Sequence, residues 1–160
     1  LADVAVSTTV VSDNAVPIIV ERALWWPGSF DSWYEGHNSA GSPVTGTSWA
    51  IADGEVGGAS GVETYVLIAN TSSYGGIARV TVYLDDGASQ DRTYSLPARS
   101  RTNVSFAAEF GAFVENRRFS ATIESVGAPV PQIVVERAMY WNAGGVPWAA
   151  GTNALATRLQ

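Results

Sequence analysis

The chain has 160 residues, of which 46% are hydrophobic and 15% charged, with 16 Gly and 7 Pro. This balance suits a compact all-β domain better than a helical or disordered one. Nine basic residues, all Arg, against fifteen acidic ones leave a net charge of −6, which argues against nucleic acid and anionic membrane surfaces as partners. The absence of Cys removes disulfide frameworks and thiolate zinc sites, no apolar run reaches membrane-spanning length, and Leu1 opens no signal peptide.

The first stretch, VSTTVVSDNAVP, leads into IIVERALWW, and the chain ends on the same theme with FSATIESVGAPVP and IVVERAMYW. Glu21 and Glu136 stand 136 − 21 = 115 positions apart, and the offset also carries Arg22 onto Arg137, Trp26 onto Trp141, Trp33 onto Trp148, Gly36 onto Gly151 and Asn38 onto Asn153. Upstream the register slips by two, with Ser12 against Ser125. A period this long is the size of a domain rather than of a solenoid unit. Residues 1–40 therefore read either as the tail of a preceding repeat unit or as extra strands packed on the main domain, and residues 41–160 as one complete unit.

Within that unit, SWAIAD is the first short strand, and TYVLIAN, apolar on both faces, should be a central one. RVTVYLDDGASQDRTYSL is a hairpin. Val80, Val82 and Leu84 share one face, Arg79, Thr81 and Tyr83 the other, and Asp85-Asp86-Gly87 reverses the chain. TNVSF and FSATIES alternate in the same way. A helical turn around AAEFGAFVEN is the one departure from strand. The count, about seven strands in roughly 115 residues, predicts an immunoglobulin-like antiparallel β-sandwich of about seven to nine strands with a partial repeat at the N-terminus.

The Glu-Arg pair inside each β-branched run is unusual. Strand alternation sends Glu136 and Arg137 to opposite faces, as it does Glu21 and Arg22, so each needs its own partner. Burying one alone costs several kcal/mol. These four are expected to be structural ion-pair residues. Trp25, Trp26, Trp33, Tyr34, Tyr140, Trp141 and Trp148 cluster at or just after the same runs, in segments that read as Gly- and Pro-punctuated loops. Large rigid rings anchor protein interfaces or stack on sugars. Their recurrence in both copies favours packing between modules, with a carbohydrate platform as the alternative.

Catalytic readings are weaker. The single histidine, His37, has Thr152 as its counterpart, and Asp31 and Glu35 fall on Val146 and Ala150, so the repeat keeps Trp, Gly and Asn but drops the titratable groups. No nucleophile elbow is present, a carboxylate pair from Asp31 and Glu35 is a thin basis for glycoside hydrolysis, and no calcium loop or other metal site is indicated. Asn70-Thr71-Ser72 and Asn103-Val104-Ser105 match the glycosylation acceptor pattern.

The ordered motifs WAIADG, ETYVLIAN, VTVYLDDG, YSLPARSRTNV and IVVERAMYW resemble those of a group of repeated domains of unknown function in large secreted or cell-surface bacterial proteins. The resemblance spans residues 47–160 and, for the tail motif, 16–40. It implies an extracellular or cell-surface β-sandwich used in tandem, without known catalytic residues. The expectation is thus a non-enzymatic structural or adhesive module with no cofactor, in an array, stalk or filament. Its partners would be neighbouring copies, other surface domains or polysaccharide, with no membrane insertion.

Overall fold

The structure, a computed structural model, describes residues 5–27 and 33–160, with the side chains of residues 27, 33 and 34 outside the description. Among the described residues, eleven strands run in chain order. They are β1 (Glu21–Pro27), β2 (Trp33–Ala40), β3 (Ser48–Val56), β4 (Glu63–Asn70), β5 (Gly76–Leu84), β6 (Ser89–Leu96), β7 (Ser100–Ser105), β8 (Arg117–Val126), β9 (Ile133–Ala143), β10 (Val146–Leu155) and β11 (Thr157–Arg158). A short helix, α1 (Phe106–Phe110), and a 3-10 turn at Gly111–Phe113 follow β7. Ser105 caps α1 by accepting from the Ala108 amide. The left-handed Gly111 ends it.

All strand pairs are antiparallel. One sheet has the order β10-β9-β4-β7, the second β11-β3-β8-β5-β6, and β1 and β2 form a separate two-stranded ribbon. Alternation drives the packing. In β5, Ala78, Val80, Val82 and Leu84 are buried while Arg79 and Tyr83 face out. In β4, Thr64, Val66, Ile68 and Asn70 are buried, and the strand lies between β9 and β7. Val66, Ile68, Val104, Ile133 and Val135 from the four-stranded sheet meet Trp49, Ile51, Val80, Val82, Phe119 and Ile123 from the five-stranded one in a single core. Phe106, Phe110 and Val114 close one end of it. Every core residue falls between Trp49 and Ala156.

Two sequence expectations need correction. The segments after the Glu-Arg runs are strands rather than loops. Ala143 and Val146 pair across Gly144 and Gly145, both at positive φ, the two-residue turn that suits a twisted hairpin. β10 then runs beside β9 through Leu155. The signal hidden in the loop-like composition was the pairing of an aromatic with a glycine directly opposite. The second correction concerns Asn70, which is 3% exposed and donates to the Tyr74, Leu96 and Pro97 carbonyls. It pins the β4–β5 and β6–β7 connections and is inaccessible to a glycan.

Candidate functional site

The two hairpins pair in one register. Glu21 faces Ala40 and Trp25 faces Gly36, while Glu136 faces Leu155 and Tyr140 faces Gly151, the same pairs 115 positions on. In each hairpin the aromatic lies over the glycine. A Cβ on Gly36 would stand 2.7 Å from the Trp25 ring, and one on Gly151 2.8 Å from the Tyr140 ring. Glycine is required at both positions to let the ring cross the neighbouring strand.

Hairpin β1–β2 is not hydrogen-bonded into either sheet. It lies on the face of β9–β10 that points away from the core. By strand alternation Arg22, Leu24 and Trp26 with Glu35, His37 and Ser39 form its inward face. Val134, Glu136, Ala138 and Tyr140 with Gly151, Asn153 and Leu155 form the surface beneath. Ala138 is only 2% exposed although it points away from the core.

Polar contacts concentrate on Glu136. Arg22 Nη1 donates to Glu136 Oε2 at 2.9 Å and Ser39 Oγ to Oε1 at 3.1 Å. The Asn153 amide, turned to suit its neighbours, accepts from Arg22 Nη2 at 2.9 Å and donates to His37 Nδ1 at 3.2 Å. That makes His37 the neutral tautomer protonated on Nε2. Burial first and the Arg22 charge second hold its pKa below the ordinary 6.5, with Glu136 working the other way. Arg101 on β7 feels the same surroundings: burial and Arg22 lower it, Glu136 and Tyr140 raise it. Its guanidinium also donates to the Val6 carbonyl, tying the N-terminal segment down.

Arg137 points the opposite way from Glu136 and is answered separately. Its Nη1 donates to the Asp53 carbonyl at 3.1 Å and to Asp53 Oδ2 at 2.9 Å. The four Glu-Arg residues thus have unequal fates. Arg22 and Glu136 pair with each other across the two hairpins, Arg137 pairs with β3, and Glu21 lies exposed with no ion pair among the described residues.

The aromatic residues form a chain across this seam. Tyr140 stacks on Trp148 at 5.2 Å, and Trp26 meets Tyr140 edge-on at 5.6 Å and His37 at 5.4 Å. Tyr65 joins from β4, 6.2 Å from both Tyr140 and Trp148. Its hydroxyl donates to Glu63 at 2.5 Å, and burial together with that carboxylate pushes its pKa up to about 12. Trp148 holds a left-handed backbone, φ 54°, costly for a bulky residue. Three hydrogen bonds fix it: its amide donates to Asn142, its indole to Glu63, and its carbonyl accepts from Trp26 Nε1 at 2.9 Å.

Of the sequence-nominated aromatics, Trp26, Tyr140 and Trp148 come together. Trp25 faces outward, and Trp141 projects on the side opposite Tyr140. The side chains of Trp33 and Tyr34, like Asp31, lie outside the described residues. Tyr65, Glu63 and Arg101 were missed by sequence reasoning, because nothing along the chain marks them as neighbours of residues so far away, 85 positions for Glu63 and Trp148 and 95 for Arg101 and Val6.

His37 Nε2 is buried without a partner, and its Nδ1 is taken by an amide rather than a carboxylate. Among the described residues no three His, Cys, Asp or Glu side chains gather. Asp85 and Asp86 are both held by Arg117, at 3.0 and 2.7 Å, which offsets one of the two charges of the DDG turn. No described helix is long and apolar enough to cross a membrane.

No protein-family model matches the chain. No curated protein matches it either. Among solved structures, the crystal structure of Thermotoga maritima 1070 superimposes with a TM-score of 0.59 at 13% identity, covering 71% of this chain and 94% of that one. The likeness is one of fold. The Anabaena sensory rhodopsin transducer, at 25% identity, gives a TM-score of 0.47 over 59% of this chain and 97% of its own. The chain itself is an all-β architecture of antiparallel sheets.

Proposed function

We propose that this chain is a non-enzymatic β-sandwich module of the immunoglobulin-like kind, extracellular or on a cell surface. It serves structurally or adhesively in an array, stalk or filament, with neighbouring copies or other surface domains as partners. The observation that carries this reading is the seam between the two hairpins. There the Trp26–Tyr140–Trp148 chain and the Arg22–Glu136 pair are used for packing one repeated element against another. Half-buried aromatics ringed by polar contacts suit a joint between modules. The tandem motifs support the same reading.

A second reading, binding of polysaccharide, has one observation in its favour. Trp25 and Trp148 remain 56% and 42% exposed, enough ring surface to stack on a sugar face. Sedimentation across a concentration series, run beside a glycan array, separates the two. Concentration-dependent self-association without glycan signal supports the structural module. A strict monomer whose glycan binding is lost in Trp25→Ala or Trp148→Ala supports the sugar-binding module instead.

A further inference from the structure

Residues 5–20 form no strand and lie mostly exposed, yet their pattern is that of a buried strand. With Ser12 on Ser125, Val6, Thr8 and Val10 fall on Phe119, Ala121 and Ile123. Those three β8 residues are 5%, 1% and 0% exposed, whereas Val6 and Val10 are 45% and 51% exposed. Further along, Ile18 is 50% exposed where its counterpart Ile133 is fully buried. Val11, Val16 and Ile19 are also exposed, giving an apolar run of a kind that single folded chains rarely leave uncovered.

Hairpin β1–β2 continues the equivalence. Arg22, Leu24 and Trp26 occupy the positions of Arg137, Met139 and Trp141, which face inward in the complete unit, where Arg137 ends on the Asp53 carboxylate. In its present seat Arg22 keeps a 39% exposed side chain, against 14% for Arg137.

We infer that residues 5–40 are the closing strands of a second β-sandwich, and that their partner is an acceptor with the pattern of residues 41–117. The Val6–Ser12 segment then lies between strands like β3 and β5, as β8 does. β1 lies beside a strand like β4, as β9 does, and Arg22 meets the carboxylate in the Asp53 position. Strand completion of this kind supplies main-chain hydrogen bonds for affinity and alternate side-chain pockets for specificity. The seat on β9–β10 is the one that the same face takes within this chain alone. This deepens the modular reading and rests on it for the kind of partner.

A fusion tests it directly, with residues 41–117 placed upstream of residues 5–160. The expected result is strong amide protection over residues 6–12 and 18–22, and an unfolding enthalpy about 1.7 times that of the present chain, since enthalpy scales with folded residues. In the same fusion Arg22→Ala should lower only the upstream transition. If residues 6–12 exchange as fast as in the present chain while the downstream unit melts unchanged, the inference is overturned. A second fusion, residues 41–117 followed by residues 5–40 alone, must fold cooperatively as residues 41–160 do. Its failure beside a folded 41–160 control also overturns the inference. Neither result depends on self-association or glycan binding, so the modular reading stands or falls separately.

Discussion

Glu136 is where the hairpin seam is most sensitive, because one carboxylate answers both Arg22 and Ser39. Glu136→Ala leaves a half-exposed guanidinium without its counter-charge, and docking should weaken by about 1–2 kcal/mol. Hydrogen exchange of the β1 amides would show it as a roughly 5–30-fold loss of protection, with the β4 and β8 amides unchanged. Gly151 is sensitive for a steric reason. In Gly151→Ala the new Cβ stands 2.8 Å from the Tyr140 ring and 3.1 Å from the Met139 carbonyl. The ring must leave its stack on Trp148, at a cost of about 1–3 kcal/mol, visible as a lower melting temperature and a changed near-UV aromatic signal. His37 sets the pH response. Its folded pKa is lowered from 6.5, so the free form takes up a proton first and the docked form resists it. The docking contribution is whole above pH 6.5 and is lost as pH falls toward the lowered value. The charges acting on it are Arg22 on the hairpin and Glu136 on β9, with the Tyr140 ring 6.2 Å away. Protection of β1 and β2 should decline as pH falls below 6.5, and His37→Gln should flatten that decline.

Among the elements, hairpin β1–β2 and the body of the sandwich are held by different forces. β4 is hydrogen-bonded on both edges, to β9 and β7, and carries the fully buried Val66 and Ile68. β1 and β2 form a ladder only with each other and are held to the body by side chains: a seam of rings, the Arg22–Glu136 ion pair and hydrogen bonds from Ser39 and Trp26. Local opening follows the number of buried apolar contacts and of ladder bonds. The β1–β2 amides should therefore exchange by a local route with little denaturant dependence, and β4 and β8 only on global unfolding. Ile68→Ala, in contrast, removes core volume where it cannot be refilled and should cost about 2–5 kcal/mol in global stability, read by denaturant titration. The strands themselves were legible because alternation is local: Val80, Val82 and Leu84 announce a buried face by spacing alone. β2 and β10 were not, since Gly, Pro and Trp punctuate them like loops. Only the cross-strand fit of Trp25 over Gly36 and of Tyr140 over Gly151 explains why such residues belong in strands.

At the scale of the whole molecule, the core lies entirely within residues 49–156, so residues 41–160 should fold alone, with a melting temperature close to that of the full chain and the Trp26 contribution to the near-UV signal removed. The sequence by itself determined the all-β class, the antiparallel hairpin at Asp85-Asp86-Gly87, the equivalence of the two Glu-Arg runs and the opposite orientation of each pair, because composition, period-two alternation and internal offset are properties of the chain read in order. Tertiary structure alone decided which partners those charges find. Arg22 reaches Glu136 across 114 positions and Arg137 reaches Asp53 across 84, and Tyr65 and Glu63 enter the aromatic seam from a strand with no mark of that role. Such pairings depend on which faces two sheets and a ribbon turn toward one another, and that is set by packing a common core rather than by any local pattern along the chain.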